Sequence, residues 1–315
     1  AVSPDHSFLA YSIDQTGAEC YTIFIKNIKK GTLLPESIEN TGTSLSWGAD
    51  SASFVYTELD KLTRPARVCL HTLGSTKEND IEIFAEPDTR FFVHIEKSKS
   101  REYIFIVSDG HQDTEVRVIK SNDLLAPPQL ISPREKGHQY LLEHHRGTAD
   151  RREECFYILT NDGAKNFKLM RTSIAHPQKE HWQEVITHRE EVFLEDFEVF
   201  ENYVVVYERE NGLLRARVCS SPITPERVVD YSMKNKEGRI VKEREVPGFI
   251  HTLYETKRVY VKAKDDVDIP VSLVYKKGVL ENAPAPCLLY GYGSYGVSVS
   301  LVFDSSRISL LDRGF

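Results

Sequence analysis

A mainly β chain, most of it a β-propeller, is the fold class predicted by three observations on this 315-residue sequence. Strand-like text recurs with a period near fifty. The segments SFLAYSI, SFVYTEL, EYIFIVS, CFYILTN and NYVVVYE, marked by Phe8, Phe54, Tyr103, Phe156 and Tyr203, are spaced by 46, 49, 53 and 47 residues. Each is followed by a partner strand, YTIFIKN, RVCLHTL, EVRVIK, FKLMRTS or LLRARVC, with turn signals such as Asp109-Gly110, Asn161-Asp162-Gly163 and Asn211-Gly212 between them. Several strands per fifty-residue unit fit four-stranded propeller blades. A β-sandwich array is the alternative, although its repeats run nearer one hundred residues.

The repeat holds from residue 8 to about 220 and then breaks early. After Cys219 a strand pair is due near residue 250, but only the charged stretch from Pro225 to Glu245 intervenes. Its segment ITPERVVDYSMKNKEGRI reads as half a blade. The junction at residues 218–221, next to Ser220-Ser221-Pro222, therefore reads as the place where about forty residues of a blade are missing. Beyond residue 250 the pattern changes. Arg258 to Ala263 alternates, Lys264-Asp265-Asp266 turns, and Val267 to Tyr275 alternates again, which predicts a hairpin. Cys287-Leu288-Leu289 predicts a short buried strand, and Ser305 to Asp312 a short helix with Ile308, Leu310 and Leu311 on its buried side and Arg313-Gly314 as its stop. Hairpin, strand, loop and helix in that order are how an α/β-hydrolase domain begins.

Composition narrows the function classes. Hydrophobic residues make up 40% and charged residues 28%, and no apolar run approaches the roughly 18 to 20 residues of a membrane helix. The first residues, AVSPDHSFLAYS, lack the basic and apolar blocks of a signal peptide. A net charge of −7 argues against a general nucleic-acid surface and against an anionic membrane as partner. The five cysteines, Cys20, Cys69, Cys155, Cys219 and Cys287, are scattered without metal-ligand spacing. They read as thiols in a reducing compartment, so the expected location is cytoplasmic.

The segment Tyr290-Gly291-Tyr292-Gly293-Ser294-Tyr295-Gly296 interleaves three glycines with three tyrosines. Glycine lets backbone approach a ligand closely, and tyrosine adds a flat apolar body with a hydroxyl donor. A substrate-facing loop and a plain structural turn both accommodate that text. Together with Glu245-Val246-Pro247-Gly248-Phe249 and Tyr254, Asp268 to Tyr275, and Ser306 to Phe315, it resembles the start of the catalytic domain in the prolyl oligopeptidase family of serine peptidases, and within it the oligopeptidase B group. Val2-Ser3-Pro4-Asp5 and Gly163-Ala164-Lys165-Asn166-Phe167 carry a more diffuse resemblance.

The resemblance implies an incomplete, nominally seven-bladed propeller over residues 1–245, then the amino-terminal part of an α/β-hydrolase catalytic domain over residues 246–315, with both ends of the chain reading as truncations. It implies a cytoplasmic serine endopeptidase that cleaves short peptides after arginine or lysine, needing no cofactor. Tyr292 would then supply its phenolic OH to the oxyanion hole, and the ring of Tyr295 would line the substrate pocket.

The residues themselves are consistent with a site that is only partly present. Acyl transfer needs a nucleophile, a histidine base, an orienting carboxylate and oxyanion donors. No Gly-x-Ser-x-Gly elbow occurs, and the nearest text, around Ser294, has the wrong spacing. The triad of Ser, Asp and His is absent from these residues, so the chain alone is expected to be inactive, and a non-catalytic propeller interaction module or pseudoenzyme is the alternative function. His138, His144 and His145 suggest a metal only superficially, since adjacent strand histidines point to opposite faces. Asp265, Asp266 and Asp268 lack the glycine and terminal glutamate of a calcium loop and read as a hairpin turn. The sequence carries no dinucleotide fingerprint and no phosphate loop.

Overall fold

The structure, a computed structural model, describes residues 1–147, 153–200, 204–210, 213–215, 227–232, 237–243, 245–282, 284–292 and 303–315. They fall into two compact units, Ala1–Glu190 with Asp196–Val205, and Glu191–Glu195 with Val206–Phe315.

The first unit is antiparallel sheet built from the repeats. β1 (Phe8–Ile13), β2 (Tyr21–Asn27), β3 (Leu33–Trp47), β4 (Ser53–Leu59), β5 (Pro65–Thr72) and β6 (Ile81–Ala85) form a six-stranded sheet in that order. A four-stranded sheet follows, in the order β10 (Gln129–Ser132), β9 (Thr114–Lys120), β8 (Tyr103–Asp109), β7 (Phe92–Lys97). The next holds β11 (Tyr140–His145), β12 (Cys155–Thr160), β13 (Lys168–Ser173) and β14 (Gln183–Ile186). The strand pairs anticipated from the repeat are β1–β2, β4–β5, β8–β9 and β12–β13, all antiparallel. The fifth marker, Tyr203, lies outside the described residues, but its strand continues as β16 (Val204–Glu210), between β15 (Val192–Val199) and β17 (Leu213–Arg215).

One departure from the four-strand rule has a clear cause. β3 is 15 residues long and serves two blades. Its first half pairs with β2, as in Ile23↔Ile38, and its second half with β4, as in Trp47↔Phe54. The change of partner occurs between Thr41 and Leu45, where the register shifts. Asn40 there has φ 59°, and a Cβ on Gly42 would stand 2.5 Å from Thr57 Oγ1, so the crossover needs a glycine at 42.

Packing follows from the period of two. On β8, Tyr103, Phe105 and Val107 face a core shared with Tyr140 and Leu142 of β11 and Phe156 and Ile158 of β12. The alternate residues Ile104 and Ile106 face Val55 of β4 and Val68 and Leu70 of β5. A third core joins Ala10, Ile23 and Ile25 to Trp47, Phe54 and Tyr56. The blades that hold β4 and β8 thus bury both faces against their neighbours, which is why these strands read as nearly continuous apolar runs.

A polar clamp crosses from one blade to the next. Arg134 pairs with Glu86 Oε2 at 2.5 Å and Glu115 Oε1 at 3.2 Å, both carboxylates being buried, and its guanidinium stands 3.9 Å from the centre of the Phe91 ring. Buried Arg64 donates to the backbone carbonyls of Glu86, Asp88 and Phe91. Burial alone would raise both carboxyl pKa values, but the hydrogen bonds from Arg134 hold them below the usual range.

The second unit is sparser. β18 (Arg227–Ser232) and β19 (Glu237–Glu243) form the two-stranded half-blade anticipated from the sequence. β20 (Tyr254–Lys262) and β21 (Asp268–Lys276) form the predicted hairpin, with Asp266 at φ 68° in its turn. The predicted helix starts as a 3-10 turn, Ser305–Arg307, capped by Asp304 Oδ1 accepting from the Ser306 N–H at 2.9 Å, and continues as α1 (Ile308–Leu311). Leu311 is buried, and Ile308 and Leu310 are half-buried. The strand expected at Cys287-Leu288-Leu289 does not form. Residues 284–292 take no regular structure and Leu289 is 84% exposed, because among the described residues no strand lies beside them to complete a ladder.

Candidate functional site

Tyr292 lies on that open segment beyond β21 and is 52% exposed, with Tyr290 at 72%. Its ring and hydroxyl are therefore accessible, on backbone that two prolines and two glycines between 284 and 293 keep out of helix. Tyr295 and Ser294, and with them most of the glycine–tyrosine loop, lie outside the described residues.

Two other sequence motifs do meet. Phe249, from the Glu245 to Phe249 motif, stacks on Tyr254 with ring centres 5.3 Å apart, and packs against Phe303 at 5.1 Å. Tyr254 donates its OH to Asp312 Oδ1 at 2.9 Å, and Lys276 Nζ reaches the same oxygen at 2.8 Å. The Lys276 hydrogen bond, followed by that from Tyr254, holds the Asp312 carboxyl below its ordinary pKa. The cluster ties the start of β20, the end of β21 and the end of α1 into one framework. It contains no nucleophile–base pair, so its chemistry is structural.

The histidines are brought into the blades. His138 stacks on Tyr140 at 5.2 Å and its Nε2 lies 3.0 Å from Thr160 Oγ1. His145 Nδ1 accepts from the Gly147 N–H at 2.9 Å. His144 is buried on β11, with Nδ1 2.7 Å from Ser100 Oγ and Nε2 3.1 Å from Glu154 Oε1. Burial pushes its pKa down to about 4, so it is neutral at pH 7. Glu102, His144 and Glu154 bring their ligand atoms within 4.8 Å of one another. Sequence spacing gave no sign of those carboxylates, because they come from the β7–β8 turn and the start of β12. Glu102 is held by Arg146 Nε at 2.7 Å, and both imidazole nitrogens have partners, so the group is satisfied as a hydrogen-bonded network. Asp265 and Asp266 occupy the β20–β21 turn, and Asp268 opens β21 3.3 Å from Lys262.

None of Cys20, Cys69, Cys155 and Cys287 forms a disulfide, and Cys219 lies outside the described residues. Burial pushes the Cys69 thiol up to about 12, which removes it as a nucleophile. Among the described residues no helix is long and apolar enough to cross a membrane.

Comparison with known proteins gives this arrangement its context. Residues 1–222 match the family described as prolyl oligopeptidase, N-terminal beta-propeller domain. Over 354 aligned positions the chain is 32% identical to dipeptidyl aminopeptidase BI of Pseudoxanthomonas mexicana, covering 99% of this chain and 47% of that protein. It is 30% identical to protease 2 of Moraxella lacunata, covering 99% of this chain and 49% of the relative. The structure of oligopeptidase B from Leishmania major superposes with a TM-score of 0.88 at 29% identity, covering 99% of this chain and 49% of that one. The chain spans about half the length of these relatives. Blade repeat, hairpin motifs and similarity along 99% of this chain agree, and the chain belongs to the prolyl oligopeptidase family of serine peptidases.

Proposed function

We propose that this chain is the propeller-bearing half of an oligopeptidase B-like serine endopeptidase that cleaves short peptides after arginine or lysine in the cytoplasm, without a cofactor. The carrying observation is that similarity extends over 99% of the chain, through the blades and on into residues 246–315. Residues 1–245 act as the propeller and residues 246–315 as the first part of the catalytic domain. Tyr292 donates to the developing oxyanion and Tyr295 lines the substrate pocket. The exposure of Tyr292 supports its role, since an oxyanion donor must be reachable by substrate.

The internal gap belongs to the same reading. Among the described residues five strands, β15 to β19, stand where two four-stranded blades would hold eight. Three strands of a fifty-residue repeat amount to about forty residues. The 354-position alignment against a chain of 315 residues leaves gaps that total about forty positions, a size compatible with this reading, while the break in the repeat is what points to 218–221.

Since the sequence has no Gly-x-Ser-x-Gly elbow, the chain by itself should give neither turnover of a fluorogenic arginyl peptide nor labelling by a fluorophosphonate. A longer product carrying the nucleophile, base and carboxylate does both, and there Tyr292→Phe lowers the rate about 10²- to 10³-fold. Labelling of Ser294 in the 315-residue chain, or an unchanged rate in Tyr292→Phe, overturns the assignment.

A further inference from the structure

The apolar cores of the first unit join neighbouring blades. One runs from β4 and β5 to β8, and another from β8 to β11 and β12. A repeat protein built on such contacts holds each unit through the one beside it. Lys99 departs from that rule. It lies in the turn between β7 and β8, yet its Nζ stands 2.7 Å from Glu198 Oε2 and 4.6 Å from the centre of the Phe200 ring, at the end of β15. The whole third sheet, β11 to β14, is passed over.

The turn is held so that the side chain can make this span. On one side Lys97 Nζ donates to the Trp47 carbonyl oxygen of β3. On the other, the Lys99 N–H donates to both carboxylate oxygens of Glu143 on β11, at 3.1 and 3.3 Å. Ser100 Oγ lies 2.7 Å from His144 Nδ1, and Arg146 donates to the Ser100 carbonyl oxygen while its Nε meets Glu102 Oε1 at 2.7 Å. Residues 97 to 102 are thus anchored to the first strands of the blades before and after them. Ordering Lys99 then costs little beyond the rotamers of its own side chain.

An exposed ion pair by itself shifts an equilibrium by less than about 5-fold, and many shift it not at all. Two features lift this one. Its backbone is fixed in advance, and the ammonium is shared between a carboxylate and an aromatic face, a contact that adds about 2- to 5-fold at an exposed site. The Lys99 and Glu198 side chains stay 40% and 35% exposed, so the link is open to screening by salt.

We propose that Lys99 is a salt-sensitive strap that holds the end of β15 to the β7–β8 turn across β11, so that this end of β15 cannot part from β11 without breaking the ion pair. The strap rests on the fold alone and stands whether or not the peptidase reading does.

Residue-resolved hydrogen exchange of the 315-residue chain in low salt tests it. Glu198→Gln should speed exchange at the amides of residues 197 to 199 about 2- to 5-fold, and Lys99→Met, which removes the aromatic contact as well, about 3- to 10-fold. The double variant should match Lys99→Met within about 2-fold, since both substitutions break one link. In about 1 M sodium chloride the parent and Glu198→Gln should converge. Amides of β1 and β2 should change less than about 2-fold throughout. Glu198→Gln keeps the shape of a partly exposed side chain, so with its salt arm it carries the test if Lys99→Met misfolds. Multiplicative effects in the double variant, acceleration confined to residues 97 to 102, or a Glu198→Gln effect that persists in high salt overturns the proposal.

Discussion

β8 and β20 are both strands of alternating apolar text, yet they end in opposite environments. On β8, Ile104 and Ile106 are at most 1% exposed, because blades lie against both faces. On β20, Tyr260 is 56% exposed and Val261 51%, and across the hairpin Ile269 is 48% exposed. Local patterning suffices to make a strand and its hairpin partner. It does not bring a second layer, which in the repeats arrives from the unit about fifty residues away.

The largest expected effect of that contrast is in protection. Limited proteolysis of the 315-residue chain should cut between 245 and 292 at least ~10²-fold faster than between 8 and 145, because opening free energy tracks buried contacts. Equal rates, mapped by mass spectrometry of the first fragments, would break the comparison. Next comes the inter-blade clamp. Arg134→Met leaves Glu86 and Glu115 buried without their shared cation and should cost about 3–5 kcal/mol, read as a shifted urea midpoint. A loss under about 1 kcal/mol would mean that the blades are joined by apolar packing alone.

A smaller effect is expected from pH. His144 has a folded-state pKa near 4 against about 6.5 when unfolded, so between those values the unfolded chain binds more protons. Its contribution is therefore complete above about pH 6.5 and lost as pH falls toward 4. The groups around it are Glu102, Glu154, His145 and Arg146. In His144→Gln, whose amide does not titrate, the stability difference between pH 7 and pH 4.5 should shrink; an unchanged difference would assign the acid sensitivity to other groups. The smallest effect belongs to the second unit, where Tyr254→Phe removes one hydrogen bond to Asp312 and should cost about 0.5–1.5 kcal/mol. Hydrogen exchange at the β20–β21 amides would register it while leaving β8 and β12 unchanged.

These regions also differ in how far the sequence disclosed them. The blade strands were legible because alternation recurs with a fixed period, so each marker corroborated the others. The long β3 was not, since nothing in its local text says that Thr41 to Leu45 exchanges partners. Cys287-Leu288-Leu289 was misleading for the opposite reason: its composition suits a buried parallel strand, but a strand needs neighbours, and none stands beside it among the described residues. At the candidate site, Tyr292 was named from motif resemblance. The Tyr254–Asp312 bond spans 58 residues, and the network around His144 draws on residues 10 to 44 positions away. Such convergence leaves no local spacing to read.

The shared strand β3 has a consequence for the order in which the chain acquires structure. The hairpin of β1 and β2 has β3 as its next neighbour, but the far half of β3 is engaged with β4, so that half has no partner until synthesis has passed Leu59. From there each later blade closes on sequence-local partners, and contact order stays low. The two blades that share β3 thus form together, and the ones after them are additions to that edge. A nascent chain arrested with Leu45 just outside the ribosome should leave β1 to β3 protease-sensitive, and one arrested after Ala85 should protect them.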